Sequence, residues 1–461
     1  MQGIGIGVSD FKILRVKDNY FIDKSLFIKH VLDNQSAIAL ITRPRRFGKT
    51  LNMSMLRHFL DCNQKDSRKL FEGLKIMEQG EKYTEKLGAY PCIYVTMKDV
   101  EGINFEEMLY SFQTELIELF MENRKLLESE KILDVEKELF NNILNLRANR
   151  IETQNALKLL SRMLYEEYEK PAYIIIDEYD VPLQNAYVGG YYDEAVKFLK
   201  SFFRATFKDN QYMEKTVLTG VSRIAKESIF SGANNFDVYT VLDNEFSEDF
   251  GITSEEIDKV LRDFGVEENA EEIKKWYDGY RIGKTEGIYN PWSILKYLKQ
   301  RELVPYWVNT SSNDLIKLIL TKSSSVKERI ERLMKGEAIE VKVNLETIIV
   351  GIENNEDNIW GLLVGTGYLK VTEVVDLAES IYKVKIVNNE IRILFSQIIR
   401  EWFSNKVLEN MEEKTIEETI ANAKKQIEDK QYETLLRERG FTNITKMVFA
   451  FDGKDARVEE Y

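Results

Sequence analysis

The stretch Ala37-Ile-Ala-Leu-Ile-Thr-Arg-Pro-Arg-Arg-Phe-Gly-Lys-Thr50 decides the fold of this chain. It begins as a short apolar run, continues as a basic loop, and reaches Gly48-Lys49-Thr50 at the predicted start of a helix. A turn of this kind presents backbone N–H groups and a helix N-terminus to an anion. The lysine can reach the β- and γ-phosphates of a nucleotide, and the threonine hydroxyl can hold Mg²⁺. The segment therefore predicts a phosphate-binding loop after the first strand of a sheet.

The basic loop departs from the usual phosphate-loop pattern at one position. The pattern has a glycine five residues before Gly48, and Arg43 stands there. The change removes the freedom to take a positive φ, and Pro44 removes one N–H donor. We expect arginine side chains to replace these donors, with Arg45 or Arg46 on phosphate or on a carboxylate of the empty protein. A solvated basic patch is the alternative. The predicted phosphate-binding set is Arg45, Arg46, Phe47, Gly48, Lys49 and Thr50.

A second motif, Tyr173-Ile-Ile-Ile-Asp177-Glu178, is an apolar run that ends in two acids. In phosphate-loop NTPases the first acid at such a strand end holds Mg²⁺ and the second polarises the attacking water. Asp177 is therefore the predicted metal ligand, together with Thr50, and Glu178 is the predicted catalytic acid. A strand that runs into an acidic turn is the plain alternative. The Gly48-Lys49-Thr50 turn upstream favours the functional interpretation.

Two residues at the end of a later apolar run complete the predicted catalytic set. Thr219 closes the run and is placed to sense the terminal phosphate or to position water. Arg223 follows shortly and is predicted to act as an arginine finger, either within the chain or across a subunit contact. The alternative for Arg223 is a surface cation near Lys226 and Glu227.

Short apolar runs separated by helical patterns indicate an α/β fold with a parallel sheet covered on both faces. The ligand of such a sheet sits beyond the carboxyl ends of its strands, where the motifs above all fall. We therefore predict a phosphate-loop NTPase sheet with helices on both faces. The predicted strands are Ala37–Ile41, Cys92–Met97, Ala172–Ile176, Lys215–Thr219 and Val238–Leu242.

The remaining patterns divide the chain into four predicted parts. Residues 1–250 form the nucleotide-binding domain, 251–338 a helical lid, 339–403 a small mixed α/β (winged-helix-like) module, and 404–461 a tail. We also expect a short strand at Asn19–Ile22, a helix from Ile132 to Glu169 broken once, and strands at Tyr368–Val371, Ile381–Val387 and Ile391–Leu394. A hairpin is predicted around Phe451–Lys454.

Aromatic residues are dense in two segments of the predicted lid. These are Trp276-Tyr-Asp-Gly-Tyr-Arg281 and Tyr289-Asn-Pro-Trp292. They could stack on a nucleotide base or a nucleic-acid strand. The alternative is that they form the core of the lid. No Asn-Lys-x-Asp element for guanine is present, which makes adenine the default base.

Composition excludes several classes of protein. His30 and His58 are the only histidines, which argues against a Ser-His-Asp hydrolase or a histidine-rich zinc site. The net charge of −13 disfavours a surface that coats nucleic acid. No apolar run approaches the roughly 20 residues of a membrane span, and Met1 to Lys17 do not read as an export signal. With only two cysteines, we expect a cytoplasmic protein.

Taken together, these motifs resemble the predicted AAA-ATPase-like family of bacteria, which is related to archaeal-type switch ATPases. The resemblance extends over nearly the whole chain. In that family the arginine-bearing loop is the usual form, so it implies ATP and Mg²⁺ binding with Lys49, Thr50, Asp177 and Glu178 in the roles given above. The resemblance rests on Tyr20-Phe-Ile-Asp23-Lys24, Arg43–Thr50, Ile176-Asp-Glu-Tyr-Asp-Val-Pro-Leu183, Ser228-Ile-Phe-Ser-Gly232 with Asn234-Asn235, Trp276–Tyr280 and Tyr289-Asn-Pro291.

The family commonly carries a C-terminal nuclease domain of the PD-(D/E)XK superfamily, and the tail resembles only its closing part. The strands that would carry an acid and an acid-x-Lys pair have no room between Phe403 and Thr415. We therefore predict a truncated, inactive nuclease remnant, and read Glu412-Glu413-Lys414 as a solvated charge run.

Three functions follow as alternatives: an ATP-hydrolysing switch, a nucleotide-gated scaffold that hardly hydrolyses ATP, and a DNA-processing effector that keeps nuclease activity. A nucleic-acid or protein partner at the C-terminal modules and a homo-oligomer stay open.

Overall fold

A computed structural model describes residues 2–64, 67–223, 235–307, 326–346, 355–411, 416–429, 445–452 and 455–460, together with positions 230, 316, 320, 352, 437 and 442. The chain divides into two compact units, Met1–Ile393 and Leu394–Tyr461. The predicted four-part division, with boundaries at 250, 338 and 403, stays a prediction.

The first unit is built around a five-stranded parallel sheet in the order β2-β3-β4-β1-β5. Every residue of β1 and β3 is buried, as expected for continuously apolar strands covered on both faces. The carboxyl ends of the strands share one edge, since Ile41 pairs with Thr219 and Ile176 with Leu218. The strands are β1 (Ile38–Thr42), β2 (Cys92–Thr96), β3 (Ala172–Asp177), β4 (Met213–Gly220) and β5 (Phe236–Tyr239).

Helices flank this sheet and supply most of its apolar cover. Phe112 packs edge-to-face on Phe198 and Phe202, with ring centroids 5.2 and 4.9 Å apart, so that two long helices are joined over the sheet. The helices are Phe11–Val16, Leu26–Asp33, Lys49–Leu60, Ser67–Phe71, Glu81–Thr84, Phe105–Glu122, Asp134–Leu144, Arg150–Gln154, Ala156–Tyr168, Val181–Gly189 and Tyr192–Phe207.

A helical region follows, with a small hairpin inside it. The helix Ser254–Asp263 begins at a capping box, in which Thr253 and Glu256 satisfy each other's backbone N–H groups. Its other helices are Ala270–Tyr277 and Pro291–Gln300, and the hairpin pairs β6 (Tyr280–Ile282) with β7 (Thr285–Ile288).

An antiparallel sheet in the order β8-β10-β9 closes the first unit. Its strands are β8 (Ile339–Lys342), β9 (Leu369–Asp376) and β10 (Ile381–Ile386), with the helices Lys327–Met334 and Glu356–Gly365 beside them. The helix Asn389–Met411 runs from this unit into the second. The second unit contains the helix Ile416–Asp429 and the hairpin of β11 (Met447–Asp452) and β12 (Asp455–Glu460).

All five predicted sheet strands are confirmed, the last one shifted towards the N-terminus. The C-terminal hairpin and the strands at 368–371 and 381–387 are also confirmed. Within the described residues, no helix combines the length and apolarity needed to cross a bilayer.

Three local predictions are wrong. Asn19–Ile22 forms no strand but only a single bridge from Asn19 to Gly3. Ile391–Leu394 lies in a helix, because the Asn388 side chain accepts from the Ile391 N–H and starts helical winding. The segment from Ile132 to Glu169 is broken twice instead of once, and Asn149 caps the helix between the breaks.

Candidate functional site

The loop after β1 turns into a helix at Gly48, which adopts the left-handed φ of 83° that glycine takes without strain. Lys49 is the first residue of the helix Lys49–Leu60, so the free N–H groups of its first turn face the same space as the loop. A cleft of about 450 Å³ opens there. Its charged lining is Arg45, Arg46, Lys49, Lys98 and Glu178. Four cations against one acid give the cleft a positively charged lining, which suits an anion, in a protein of net charge −13.

Lys49 and Glu178 meet across this cleft. The Lys49 ammonium lies 3.4 Å from the Glu178 carboxylate and donates to the Pro44 carbonyl oxygen at 3.3 Å. Strands β1 and β3 are not neighbours, because β4 lies between them. The two motifs are nevertheless within one side chain's reach of each other. Glu178 has a left-handed φ of 53°, a conformation that is strained for a residue other than glycine and is typical of functional sites.

Asp177 lies directly behind this pair and is fully buried. Its Oδ1 accepts from the Thr219 hydroxyl at 2.6 Å, whereas its Oδ2 has no hydrogen-bond partner among the described residues. Burial, reinforced by the charge of Glu178, raises the pKa of Asp177 to about 6, although Thr219, Thr50 and Lys49 act in the opposite direction. The buried Asp177 Oδ2 has no partner within the described ranges and belongs to a carboxylate that lies near the Thr50 hydroxyl, so it fits a divalent cation.

The wider donor set also fits Mg²⁺ better than a metal held by protein alone. The described part of the chain contains no group of three or more His, Cys, Asp or Glu side chains that could hold a metal ion. Mg²⁺ is usually bound through one or two protein oxygens, with phosphates and waters completing its shell. Asp177 and Thr50 offer such a partial set.

Asp180 holds the segment after β4 against the acidic turn. This fully buried carboxylate accepts from the Val221 N–H at 3.1 Å, and from the Ser222 N–H at 2.8 Å and its hydroxyl at 2.7 Å. The Tyr179 hydroxyl donates to the Ser222 carbonyl oxygen at 2.7 Å. The motif therefore has two parts. Asp177 and Glu178 are the acidic pair at the cleft, whereas Tyr179 and Asp180 hold the segment after β4 in place through hydrogen bonds. Asp180 was visible in the sequence only as part of an acidic turn.

Arg43 faces away from the cleft, so it is not one of the arginine side chains that could replace the missing donors at a phosphate. The hypothesis for Arg45 and Arg46 stays a prediction. The fully buried Arg43 guanidinium donates to five backbone carbonyl oxygens at 2.8–3.1 Å. Burial lowers the pKa of Arg43 to about 10, which still leaves it charged near neutrality. The side chain thus fixes the base of the loop. The acceptors belong to Thr42, Tyr239, Thr240, Glu245 and Phe246.

Arg45 and Arg46 line the cleft, but Phe47 does not. An Arg45 guanidinium nitrogen lies 3.2 Å from Gln184 Oε1, and the Arg46 guanidinium stacks over the Trp292 ring, 4.4 Å from its centroid. The Phe47 ring is buried against Tyr280, with ring centroids 4.8 Å apart. The Phe47 side chain therefore does not contact the cleft, and its role in cofactor binding stays a prediction.

Arg223 also lies outside the cleft. Its guanidinium pairs with the Glu346 carboxylate, next to a small cavity lined by Ser222 and Thr240. Lys226 and Glu227, the neighbours considered in the sequence, are outside the described residues, as are Ser228, Ile229, Ser231, Gly232 and Asn234 of the family motif and the charge run Glu412-Glu413-Lys414.

The helical region after residue 250 is hydrogen-bonded to the phosphate loop by two residues that were not among the predicted site residues. Asn290 caps the helix Pro291–Gln300, and its amide N–H donates to the Arg45 carbonyl oxygen at 3.3 Å. The Trp307 indole N–H donates to the same oxygen at 3.0 Å. The Asn-Pro pair signals a helix start, but nothing local predicts its contact with the loop. Trp292 is one of the predicted aromatic residues that does line the cleft.

A five-stranded parallel sheet with a Gly-Lys-Thr turn after one strand and an acidic pair after another is consistent with the phosphate-loop class of nucleotide-binding proteins. Residues 5–230 match the model of a family described as "Predicted AAA-ATPase". The chain is also 24% identical over 397 residues, 86% of its length and 69% of the relative's, to an "Uncharacterized protein in vnfD 5'region" of Azotobacter chroococcum mcd 1. The family match supports nucleotide binding in general.

Proposed function

We propose that this protein is a cytoplasmic, Mg²⁺-dependent ATPase that acts as a switch. The observation that carries the proposal is the meeting of Lys49 and Glu178 across a cationic cleft, with the unpartnered Asp177 oxygen behind them. A triphosphate requires this combination of a lysine, a metal-binding oxygen and an acid near its terminal phosphate.

Each residue has a separate proposed role. The helix N-terminus at Gly48 and the Lys49 ammonium bind the β- and γ-phosphates. Thr50 and Asp177 would hold Mg²⁺, which supplies charge neutralisation at the phosphates. Glu178 orients the attacking water and accepts its proton, and Thr219 positions Asp177 through their hydrogen bond. Trp292, which lines the cleft, would stack on the adenine base once a cation that lies over its ring, Arg46 or Lys296, moves away.

The helical region would act as the lid of this switch. Asn290 and Trp307 bind the Arg45 carbonyl oxygen, so a change in the loop on nucleotide binding is transmitted directly to the region after residue 250. Arg223 would reach a nucleotide only after its ion pair with Glu346 breaks, in the same chain or in a neighbouring copy of a homo-oligomer. Loss of hydrolysis with retained ATP binding in Arg223→Ala would support this role.

The proposal is tested by ATP binding and phosphate release in three variants. Lys49→Ala is expected to lose ATP binding, and Glu178→Gln to bind ATP but release no phosphate. Lys125→Ala removes an exposed cation that does not line the cleft, and it is expected to leave ATP affinity unchanged. Unchanged binding in Lys49→Ala would contradict the proposal.

The same ion pair favours a second candidate, a nucleotide-gated scaffold with little turnover. Glu178 is held by Lys49, and a carboxylate in that contact does not act on water. Under this second function Glu178→Gln leaves the slow release of phosphate unchanged, while ATP affinity rises because the carboxylate that competes for Lys49 is lost.

For residues 404–461 we propose a nuclease remnant without activity, which leaves a nucleic-acid or protein partner as its role. The helix that ends at Met411 occupies most of the stretch where catalytic strands would stand. No cleavage of supercoiled plasmid with Mg²⁺ or Mn²⁺ is expected. Cleavage would instead support the DNA-processing function considered in the sequence analysis.

A further inference from the structure

Gln184 joins the acidic turn to the phosphate loop. It lies in the helix Val181–Gly189, and its side chain lines the cleft. Its amide Nε2 donates to Asp180 Oδ2 at 2.7 Å, and its Oε1 accepts from the Arg45 guanidinium at 3.2 Å. A continuous path of hydrogen bonds therefore runs from Val221 and Ser222 through Asp180 and Gln184 to Arg45.

The direction of the Gln184 amide is fixed by chemistry. An ionised Asp180 only accepts hydrogen bonds, so the NH₂ group of the amide must face it and the carbonyl oxygen must face Arg45. Asp180 is held in turn by the N–H groups of Val221 and Ser222. Asp180 and Gln184 therefore each have one favourable arrangement of hydrogen bonds, and together they orient the Arg45 guanidinium.

This contact orients Arg45 without adding a negative charge beside it. A carboxylate in place of the amide would compete with phosphate for the guanidinium, whereas a neutral amide does not. The contact also draws the side chain towards the wall of the cleft formed by the turn after β3. Glu178, the proposed base, stands in that turn, and the terminal phosphate of a nucleotide must lie near the base for hydrolysis.

We propose that Gln184 is a positioning residue, which sets Arg45 on the terminal phosphate and so makes the site prefer a nucleoside triphosphate to a diphosphate. The inference rests on the proposed ATPase function and adds to it the residue that distinguishes the two nucleotides. Asp180 is the buried anchor of Gln184 in this arrangement.

The test compares ATP and ADP affinity, by calorimetry with Mg²⁺, in the full-length protein. Gln184→Met keeps the length of the side chain and removes both hydrogen bonds, and it should lower the ATP-to-ADP preference roughly tenfold, the value of one charge-assisted hydrogen bond. Gln184→Glu should lower it further, because its carboxylate repels Asp180 and binds Arg45.

A matched control separates positioning from folding. Gln113 also makes two side-chain hydrogen bonds, both donated to neutral groups, the Ala148 carbonyl oxygen and the Thr153 hydroxyl, and it is absent from the cleft lining. Gln113→Met should lower thermal stability and leave the ATP-to-ADP preference unchanged.

A double-mutant cycle completes the test. In the Arg45→Ala background, Gln184→Met should have no further effect on the preference, because Gln184 acts through Arg45. Additive losses, or an unchanged preference in Gln184→Met while Lys49→Ala abolishes binding, would overturn the inference but leave the proposed function intact. A wild-type protein that binds neither nucleotide would overturn both.

Discussion

The guanidinium of Arg43 ties the end of β1 to the segment after β5. Its partners are backbone carbonyl oxygens that would lose their donors if the side chain were removed. A glycine at this position would restore the usual phosphate-loop pattern, yet in this fold it would leave a buried void lined with unsatisfied oxygens. The arginine thus replaces the flexibility of a glycine with a rigid anchor.

Arg43→Gly is therefore expected to lower the free energy of unfolding by on the order of 3 kcal/mol or more, because several buried acceptors are left unpaired. Chemical denaturation of the variant measures the loss. Arg46→Gly is the matched control in the same loop, since Arg46 has a left-handed φ of 65° that suits glycine. It should change stability by less than about 1 kcal/mol. Equal effects of the two substitutions would contradict the anchoring role.

The buried Glu390 gives a prediction about how the stability of the protein depends on pH. It is fully buried, accepts from the Ser293 hydroxyl at 2.9 Å and the Trp307 N–H at 2.6 Å, and burial raises its pKa to about 7 from an ordinary value of 4.5. Between these two pH values the folded state binds the proton more tightly than the unfolded state does. Glu390 therefore makes the protein lose stability as the pH rises through this range.

Glu390→Gln should remove that slope, so the stability of the variant relative to the wild type should increase by roughly 3 kcal/mol between about pH 4.5 and pH 7.5. Urea unfolding at several pH values measures it. The control is Glu379→Gln, which alters an exposed carboxylate paired with Lys342 and should leave the slope unchanged. A wild-type slope that persists in Glu390→Gln would show that another group is responsible.

Among the elements, the helix Pro291–Gln300 links the helical region after residue 250 to the phosphate loop through its cap. Asn290 accepts from the Trp292 and Ser293 N–H groups and donates to Arg45. Asn290→Ala should lower stability by about 1 kcal/mol and also weaken ATP binding, since both cap and link are lost. Asn290→Ser keeps a capping oxygen but is too short to reach Arg45, so it should mainly weaken binding.

Thr253→Ala provides the control for this element. It removes the cap of the helix Ser254–Asp263, in which the Thr253 side chain accepts from the Glu256 N–H. It should therefore cost a similar amount of stability while ATP affinity stays constant. Equal loss of ATP affinity in Thr253→Ala and Asn290→Ser would mean that binding follows lid stability and not the Asn290 link.

Sequence patterns predicted the elements whose signals are local. The strands of the sheet are continuous apolar runs, and the Gly48-Lys49-Thr50 turn and the Asp177-Glu178 pair carry their own chemical signatures. Ile391–Leu394 was misread because four residues of mixed polarity fit a strand as well as a helix, and the deciding Asn388 cap lies just before them. Short runs are ambiguous in this way.

The contacts that hold the phosphate loop in place could not be predicted from local sequence patterns. Four of the five acceptors of Arg43 lie about 200 residues further along the chain, and Asn290 meets Arg45 across 245 positions. Such contacts depend on how whole elements pack, and the sequence near either partner carries no trace of them. Gln184 is the intermediate case, because its spacing of four from Asp180 places both on one helix face, but its partner Arg45 is distant.

For the whole molecule, the residues that line the cleft all lie between Gly5 and Leu295, within the first compact unit. A chain that ends at Met411 should therefore bind ATP with the affinity of the full-length protein. Titration of both forms measures this, and circular dichroism verifies that the shorter chain is folded. Lys49→Ala in the shorter chain is the negative control. A folded short chain without ATP binding would assign residues 412–461 a part in the site.

The contact between Lys49 and Glu178 has a consequence for how such a switch would read its surroundings. An incoming triphosphate must displace a carboxylate that already neutralises the lysine, so the protein carries its own competitor. Competition of this kind weakens apparent affinity without altering the shape of the cleft. Under the proposed function, this cleft would fill only at higher triphosphate concentrations than a cleft whose lysine is not already paired.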